Sequence, residues 1–370
     1  MNVAFTGGGT GGHIYPAIAI ADALRDRAQI LFIGNRNGLE QTIVPDAGYD
    51  LASISSRSLQ RRSWLETPAI AAVNAAGIAQ SWRVLRSFRP DIVIATGGYV
   101  SFPAMTAARA QRLVRQFGGA LALLEPNAHP GLTNRWLARV VDEVWGAFPQ
   151  ADPIFATKYV HTGVPVRGTL LHPNNRIEAA RRLGLDPSRR TLLAIGGSQG
   201  ARSINEAIAA LVTRRALPPE WQILHVAGER DYEYMQAAQR APFGENRVVL
   251  VPYLREMADA YAISDLVIAR AGASTLGELA ALGIPALLIP YPFAAEDHQA
   301  RNATVLAQHG AAVTIEDRAL NADSLWWTLR EVMQPEKLDK MRAAARSLGG
   351  RDAVATIVAR VEALVSQKQR

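Results

Sequence analysis

The sequence predicts an α/β protein made of two Rossmann-like domains, each built on a parallel sheet. Three observations support this prediction. The 370 residues exceed what one hydrophobic core usually organises. Short β-rich runs alternate with amphipathic helical stretches, the order that produces parallel sheets covered by helices on both faces. A glycine-rich turn between a strand and a helix occurs near the start of each half, at Gly7–Gly12 and at Gly196–Gly200.

Twelve strand candidates divide equally between the halves. In the first half they are Val3–Thr6, Ile30–Gly34, Ile92–Thr96, Ala122–Glu125, Glu143–Gly146 and Tyr159–Thr162. In the second half they are Thr191–Ile195, Gln222–Val226, Arg247–Val251, Leu266–Ala269, Ala286–Ile289 and Ala312–Ile315. The helix after the second glycine turn carries Ile204, Ile208 and Leu211 on one face, which predicts a buried stripe.

The join between the domains is expected where Pro165, Gly168 and Pro173 interrupt the pattern. We therefore assign residues 1–167 to the first domain and residues 168–349 to the second. The last helix, about 350–370, carries an apolar stripe but has no strand of its own to cover. We expect it to pack back onto the first domain.

Composition restricts the classes of function. The chain has no cysteine, which excludes disulfides, thiolate catalysis and cysteine zinc sites. No secretory signal is visible, and no run reaches the roughly 20 apolar residues that span a bilayer. The net charge of +7 indicates acidic partners or a basic surface kept for solubility. Because the cations are scattered and no nucleic-acid-binding module is found, we expect no nucleic acid.

The first glycine turn is a candidate anion site, since glycines allow close backbone approach and a helix N-terminus offers free N–H groups. Its spacing also fits a dinucleotide fingerprint, but the second strand ends Gly34-Asn35-Arg36 without the acidic residue that an NAD ribose needs. His13 follows in the first helical turn, where the helix dipole favours neutral imidazole over imidazolium. It is a candidate general base; the alternative is a capping or packing histidine.

Two turns of the second half offer similar chemistry. Ser198, in Gly196–Ala201, could bind a diphosphate and could also serve as a helix N-cap. Glu278, in Arg270–Glu278, could accept both hydroxyls of a ribose or could close a capping box with Thr275. Open α/β sheets bind ligands at the carboxyl ends of their strands, so these turns should face a cleft between two sheets. Glu296-Asp297-His298-Gln299 raises the question of a metal, which no second cluster with ligand spacing supports.

Together these turns resemble the MurG family of glycosyltransferases, and the resemblance extends over nearly the whole chain. In the first half it rests on GGGTGGHIYPA from Gly7, ATGGYVSFPA from Ala95 and PNAHPGLTNRWLA from Pro126. In the second half it rests on TGVPVR from Thr162, GGSQGAR from Gly196, RAGASTLGEL from Arg270 and DHQARNA from Asp297. Several independent motifs in the same order make the resemblance specific.

The resemblance implies the GT-B fold and the transfer of N-acetylglucosamine (GlcNAc) from UDP-GlcNAc to lipid I, giving lipid II, with no cofactor and no metal. It implies His13 and Glu125 as candidate bases for the acceptor hydroxyl. For the donor, the resemblance implies contacts in both halves. The sugar would be contacted by Thr10, Gly11, Gly12, Asn127 and Gln299, and the diphosphate and sugar by Ser198, Ala273, Ser274, Thr275 and Leu276. Arg167 would contact the nucleotide, Leu254 the uracil and Glu278 the ribose. The acceptor diphosphate would meet the loop that contains Gly97, Gly98, Tyr99 and Ser101.

The sequence departs from the family pattern at four positions. The family usually has Gln where Pro126 stands, His where Leu124 stands, Asn where Val164 stands and Ser where Ala271 stands. Pro126 alters the backbone beside Glu125, so the resemblance supports His13 more strongly as the base.

A lipid acceptor would require attachment to an anionic membrane surface. Cations and apolar residues mix at Arg57–Trp64, and arginines gather at Arg83, Arg86 and Arg89 behind Trp82. We expect peripheral attachment at the cytoplasmic face of the cell membrane, with a complex of cell-wall synthesis proteins as a further partner. A core helix with solvated arginines is the alternative. Other functions that share these turns are a GT-B enzyme with another lipid acceptor, a UDP-GlcNAc 2-epimerase and a nucleotide-sugar sensor.

Overall fold

The computed structural model describes residues 1–58, 67–149, 153–172, 174–197, 200–215, 217–238, 247–254 and 256–369. The chain divides into two compact units. Unit 1 comprises Met1–Arg167 and Gly350–Arg370, and unit 2 comprises Gly168–Gly349. Among the described residues, no helix combines the length and the hydropathy needed to cross a membrane.

Unit 1 is built on a seven-stranded sheet in which every pair of neighbours is parallel, in the order β3-β2-β1-β4-β5-β6-β7. The strands are β1 Asn2–Gly7, β2 Gln29–Asn35, β3 Asp50–Ile54, β4 Ile92–Gly97, β5 Ala120–Glu125, β6 Glu143–Gly146 and β7 Tyr159–His161. The described helices are α1 Gly11–Leu24, α2 Glu40–Asp46, α3 Thr67–Phe88, α4 Ser101–Leu113, α5 Leu132–Leu137 and, from the end of the chain, α15 Ala353–Gln369.

Unit 2 carries a six-stranded parallel sheet in the order β10-β9-β8-β11-β12-β13. Its strands are β8 Arg190–Ile195, β9 Trp221–Val226, β10 Val248–Val251, β11 Ser264–Ala269, β12 Ala286–Leu288 and β13 Ala312–Thr314. Its described helices are α6 Gly168–Leu171, α7 Arg176–Arg182, α8 Arg202–Arg214, α9 Glu229–Ala238, α10 Met257–Ile263, α11 Ala273–Leu282, α12 His298–Gln308, α13 Ala322–Val332 and α14 Pro335–Ser347.

All twelve predicted strands are confirmed, with ends within two residues of the prediction. They could be predicted because a strand buried on both faces of a parallel sheet is a nearly continuous apolar run. In β5 the side chains of Leu121 and Leu123 pack on one face of the sheet, while Ala122 and Leu124 pack on the other. The prediction missed β3, an edge strand with only Ile54 buried, because it has no such run.

The C-terminal helix α15 belongs to the core of unit 1. Ile357, Val361 and Leu364 are buried in one cluster with Phe5 of β1 and Ile18 of α1. Ion pairs also tie this helix to the rest of the unit: Arg360 with Glu143 of β6, Glu362 with Arg27, and Lys368 with Asp142. The helix thus covers the sheet face that α1 alone would leave partly open.

The packing of α15 gives a first test. Ile357→Ala should lower the free energy of unfolding of unit 1 by about 2–5 kcal/mol, because a fully buried side chain is replaced by a cavity. Urea unfolding measures this loss. Glu362→Ala is the control on the same helix, since its ion pair is half exposed and should contribute at most about 1 kcal/mol. Equal losses in the two variants would contradict the assignment of α15 to the core.

Candidate active site

Each sheet has one point at which the strand order reverses, and the candidate turns follow the strands on either side of it. In unit 1 the strands are β1 and β4, and in unit 2 they are β8 and β11. At such a point the connections leave to opposite faces of the sheet, which opens a crevice at the carboxyl ends of the strands. The glycine-rich turns that the sequence singled out therefore lie at the two ligand-binding positions that the topology provides.

The first glycine turn is supported by a buried carboxylate that the sequence analysis did not single out. Glu40, the first residue of α2, is 1% exposed. Its Oε2 accepts the backbone N–H of Gly9 at 3.2 Å, and its Oε1 accepts that of Asn35 at 2.8 Å. A Cβ on Gly8 or on Gly38 would stand within 2.4 Å of this carboxylate. The glycines around it provide the space that the carboxylate fills.

His13 is the third residue of α1, and its imidazole lies in this turn. The Nδ1 atom is 3.1 Å from the carbonyl oxygen of Gly8. Because a carbonyl oxygen can only accept, Nδ1 carries the proton in this contact, and in the neutral ring Nε2 then has the lone pair. The imidazole ring lies against the turn after β4, since a Cβ on Gly97 would stand 3.1 Å from Nε2.

The capping interpretation of His13 is wrong, whereas packing is part of its role. The N-cap of α1 is Thr10, whose side chain makes no capping hydrogen bond. Thr10 Oγ1 lies 3.3 Å from His13 Nδ1. Gly11 and Gly12 form the first helical positions and are half-buried.

The turn after β4 splits its predicted acceptor residues into two groups. Gly97 and Gly98 adopt positive φ angles of 102° and 81°, and the ring of Tyr99 covers Gly9, 3.2 Å from where its Cβ would stand. Ser101 is fully buried, with Oγ 3.0 Å from the carbonyl oxygens of Thr6 and of Gly97. The hydroxyl of Ser101 thus points inward and fixes the turn, and a contact of Ser101 with the acceptor stays a prediction.

Glu125 ends β5 and is buried, with 1% of its surface exposed. Its Oε1 accepts from the backbone N and from Nδ2 of Asn127, at 2.9 and 3.1 Å, and its Oε2 accepts from Asn134 Nδ2 at 2.8 Å. Burial raises the pKa of the Glu125 carboxyl to about 7, and hydrogen bonds from Asn127 and Asn134 oppose part of that rise. The carboxyl thus holds the loop that follows it, through Asn127 and Asn134.

Arg167 is the last residue of the first segment of unit 1, and its guanidinium lies over the ring of Tyr15, 4.6 Å from the ring centroid. Its Nε is buried without a hydrogen-bond partner among the described residues. Tyr15 packs against Gly11, whose Cβ would stand 3.0 Å from the ring. The arginine is thereby held beside the N-terminus of α1, where its charge adds to that of the helix dipole.

In unit 2 the glycine turn after β8 is held by close backbone contacts. A Cβ on Gly196 would stand 2.2 Å from the backbone nitrogen of Ala201, and one on Gly200 would stand 2.4 Å from the carbonyl oxygen of Ala227. Ser198 lies outside the described residues. The N-cap of α8 is Ala201 and the helix begins at Arg202, so the N-cap interpretation of Ser198 is wrong.

The turn after β11 leads directly into α11, whose N-cap is Gly272. Ala273, Ser274, Thr275 and Leu276 make up the first helical turn, in which the N–H of Leu276 donates to the carbonyl oxygen of Gly272 at 3.0 Å. Gln299 braces this turn, because its Oε1 accepts from the backbone N–H of both Ala271 and Tyr291, at 3.1 and 3.0 Å.

Arg270, which precedes this turn, is held by protein groups on three sides and was not predicted. Its guanidinium pairs with Asp317 and donates to Ser203 Oγ at 2.9 Å. It also reaches the carbonyl oxygens of Ile289 and Pro290. This cation therefore ties together the ends of β11 and β12 and the start of α8.

Glu278 is the sixth residue of α11, so the capping-box interpretation is wrong: a capping box requires the third residue. Its Oε2 accepts the hydroxyl of Tyr261 of α10 at 2.7 Å. Tyr261 is 4% exposed and fixes the direction of this carboxylate. Leu254 is half-buried and lies between the end of β10 and the start of α10.

The acidic segment after β12 forms no metal site within the described part of the chain, where no group of three potential ligands is placed to hold an ion. Glu296 and Asp297 both adopt positive φ angles, near 52° and 56°. His298 Nδ1 lies 2.7 Å from the carbonyl oxygen of Ala295, a contact in which that nitrogen donates.

Two family models match the chain. The glycosyltransferase family 28 N-terminal domain matches residues 3–145, and the glycosyltransferase family 28 C-terminal domain matches residues 191–357. The UDP-N-acetylglucosamine--N-acetylmuramyl-(pentapeptide) pyrophosphoryl-undecaprenol N-acetylglucosamine transferase of Moorella thermoacetica is 42% identical, over 97% of this chain and 97% of that protein. The protein of the same name from Desulfitobacterium hafniense strain Y51 is 40% identical, over 97% and 98%. The crystal structure of Acinetobacter baumannii MurG covers 98% of this chain and 99% of its own, with a TM-score of 0.78 at 27% identity.

The buried carboxyl of Glu125 predicts a specific dependence of stability on pH. Its pKa is about 7 in the folded protein and 4.5 in the unfolded chain. Between these values the folded protein binds more protons, so the free energy of unfolding falls as the pH rises, by about 3 kcal/mol over the interval. Glu125→Gln should remove this fall. Urea unfolding of both proteins from pH 4 to pH 8 measures it; parallel curves would contradict the raised pKa.

Proposed function

Because the chain belongs to the MurG family within glycosyltransferase family 28, we propose that it transfers GlcNAc from UDP-GlcNAc to the muramyl 4-hydroxyl of lipid I, forming lipid II. The observation that carries the chemistry is the contact of His13 Nδ1 with the Gly8 carbonyl, because it leaves Nε2 as a base. The acceptor is lipid-linked and the donor is a UDP-sugar, as in the names of the relatives.

The reaction is a direct displacement with inversion. His13 Nε2 takes the proton of the acceptor hydroxyl, and the oxygen forms a bond to the anomeric carbon of GlcNAc. The bond between that carbon and the diphosphate oxygen breaks, and its electron pair leaves with UDP. The imidazolium then returns its proton to solvent. We assign proton transfer to His13 because Glu125, the other candidate, is buried with both oxygens accepting hydrogen bonds.

Donor binding is assigned mainly to unit 2. Glu278 would accept the ribose hydroxyls with Tyr261 holding its other side, and the backbone of Leu254 would bind uracil. The first turn of α11 would bind the diphosphate and sugar, with Ser198 from the turn after β8. The GlcNAc would be contacted by Gln299 in this unit and, from unit 1, by Thr10, Gly11, Gly12 and Asn127.

The charge of the leaving UDP is assigned to helix N-termini and hydroxyl groups, with one cation, Arg167. The N-terminus of α11 suits this role, because the dipole of a helix is fixed before the charge develops. Arg270, the nearest arginine in sequence, is paired with Asp317 and stabilises the fold around the turn. Gly97, Gly98 and Tyr99 remain the assigned contacts of the acceptor diphosphate.

We assign the protein to the cytoplasmic face of the cell membrane as a peripheral protein. Arg83 and Arg86 of α3 and Arg89, which follows the end of that helix, are exposed, and Trp82 packs partly against the core. Each cation near an anionic leaflet contributes about 1 kcal/mol. Leu59, Arg61, Arg62 and Trp64, from the segment expected to help, lie outside the described residues. A complex with other cell-wall synthesis proteins stays a proposal.

One assay tests the function against its rivals: release of UDP from UDP-GlcNAc with and without lipid I. We expect release that depends on lipid I and a product with one added GlcNAc. Release without any acceptor would favour an epimerase. Binding without release would favour a sensor, and transfer to a different lipid alone would replace the acceptor.

His13→Ala should lower kcat by roughly 100-fold or more, because the base that takes the acceptor proton is lost. The Kd for UDP should stay within about twofold, since the uridine contacts are assigned to unit 2. Steady-state UDP release and calorimetric titration with UDP provide the two measurements. Near-normal turnover would remove His13 as the base.

Tyr261→Phe should raise the KM for UDP-GlcNAc roughly tenfold with little change in kcat, because the direction of Glu278 would be lost while its charge remains. Glu278→Ala should raise the same KM further. Tyr253→Phe is the control, since this tyrosine is exposed in the same region. If Tyr261→Phe behaves like the control, Tyr261 has no role in donor binding.

A further inference from the structure

The Gly8–Gly9 peptide group contacts two functional side chains, those of His13 and Glu40. Its carbonyl oxygen, on Gly8, lies 3.1 Å from His13 Nδ1. Its N–H, on Gly9, donates to Glu40 Oε2 at 3.2 Å. In a trans peptide the C=O and N–H point in opposite directions, so one rigid planar group has a carboxylate at one end and an imidazole at the other.

We propose that Glu40 is a positioning residue for the base: through the Gly8–Gly9 peptide it orients His13 and stabilises the imidazolium that forms during transfer. This proposal rests on the proposed function. A carboxylate that accepts from the peptide N–H polarises the peptide and makes its carbonyl a stronger acceptor. The Gly8 oxygen then holds the Nδ1 proton more tightly, and Nε2 becomes the better base. The arrangement performs the task of the carboxylate in a Ser-His-Asp triad, with a peptide group between carboxylate and imidazole.

The surroundings of Glu40 support this role. It is almost completely buried, and within the described residues it accepts only two backbone N–H groups and pairs with no cation. Removing a carboxylate from water costs free energy, and here no cation repays that cost. A helix start that only needed an acidic residue could leave it exposed to solvent. Burial against the glycine turn indicates that the carboxylate serves this turn.

The packing also fixes the position of the carboxylate. The Cβ of an alanine at Gly8 would stand 2.4 Å from Oε1, and one at Gly38 would stand 2.2 Å from Oε2. Oε1 of Glu40 accepts from the backbone N–H of Asn35 at 2.8 Å, and Asn35 Nδ2 in turn donates to the Tyr99 hydroxyl at 3.1 Å. Glu40 therefore lies at the centre of the contacts that join the ends of β1 and β2 to the turn after β4.

Besides Glu40, the titratable or charged groups that the described residues place near His13 include Glu125, Tyr99 and Tyr15 with Arg167. The Oε2 of Glu125 accepts from Asn134 Nδ2, a nitrogen that, like the imidazole, lies close to where a Cβ on Gly97 would stand. From α2 the carboxylate of Glu40 reaches it through the peptide, and from the turn before α4 the Tyr99 phenol lies over Gly9. On α1 itself Tyr15 carries the stacked guanidinium of Arg167. Variants of Glu40 do not remove any of these groups, and a change in the titration of His13 is compared with that in the control variant.

Two variants test the proposal. Glu40→Gln keeps the shape of the side chain but replaces one accepting oxygen with an NH₂ group. Because an NH₂ group cannot accept a hydrogen bond, one of the two backbone N–H groups, of Gly9 or of Asn35, loses its acceptor. Gly38→Ala keeps the carboxylate but displaces it, and Gly38 has no positive φ to forbid alanine. Glu143→Gln is the matched control, because Glu143 is a second largely buried carboxylate of unit 1 that pairs with Arg360.

The first measurement follows the His13 imidazole by ¹⁵N NMR in the resting protein, with its signals among the seven histidines identified from their loss in His13→Ala. The titration midpoint of His13 should fall by about 0.5–1 pH unit in Glu40→Gln and in Gly38→Ala. It should not move in Glu143→Gln. An unchanged midpoint in a folded Glu40 variant would overturn the proposal, and Gly38→Ala decides the matter if Glu40→Gln does not fold.

The second measurement is the pH profile of transfer. In Glu40→Gln we expect kcat to fall roughly tenfold, less than the roughly 100-fold or greater loss expected without the base, and the KM for UDP-GlcNAc to stay within about twofold. The acidic limb of the kcat profile should shift in the same direction as the NMR midpoint. A fall in kcat without either shift would reduce Glu40 to a structural support. Absence of GlcNAc transfer in the wild type, with the NMR shift present, would refute the function and leave the coupling intact.

Discussion

The site in unit 1 depends on one steric constraint, the close approach of two turns at the point where the strand order reverses. A Cβ on Gly98 would stand 2.5 Å from the Gly8 carbonyl oxygen, and one on Gly97 would stand 2.9 Å from His13 Cδ2. Side chains at these two glycines would push the turn after β1 and the turn after β4 apart and move the imidazole away from the Gly8 carbonyl. Glycine is required for this contact, and the orientation of the base follows from it.

The fold could be predicted from the sequence because its determinants are local. Buried parallel strands are apolar runs, and glycine and other small residues indicate the turns after β1, β8 and β11. The individual contacts could not be predicted, because they join residues that are distant in sequence. Glu40 reads as an ordinary acidic residue at a helix start, and its burial arises only when Gly8 and Gly38 fold around it. Likewise nothing local indicates that Ser101 points inward or that Tyr261 holds Glu278.

The two units treat charge differently at equivalent points in their sheets. In unit 2 the arginine next to the turn is paired with Asp317, and what the turn offers a ligand is the N–H groups at the start of α11. In unit 1 an imidazole lies at the turn, and the buried carboxyl groups of Glu40 and Glu125 hold the neighbouring loops by hydrogen bonds. One unit is thus suited to receive negative charge on fixed dipoles, and the other is suited to move a proton.

A base at the start of a helix meets two opposing requirements, and the position of Glu40 reconciles them. The positive end of α1 favours neutral imidazole over imidazolium at His13. The same field would oppose the proton transfer that the reaction needs. A carboxylate in direct contact with Nδ1 would stabilise imidazolium more strongly than one that acts through a peptide group. Separation by one peptide group weakens the carboxylate's influence, so the imidazole can be neutral at rest and still gain stabilisation when it takes the proton.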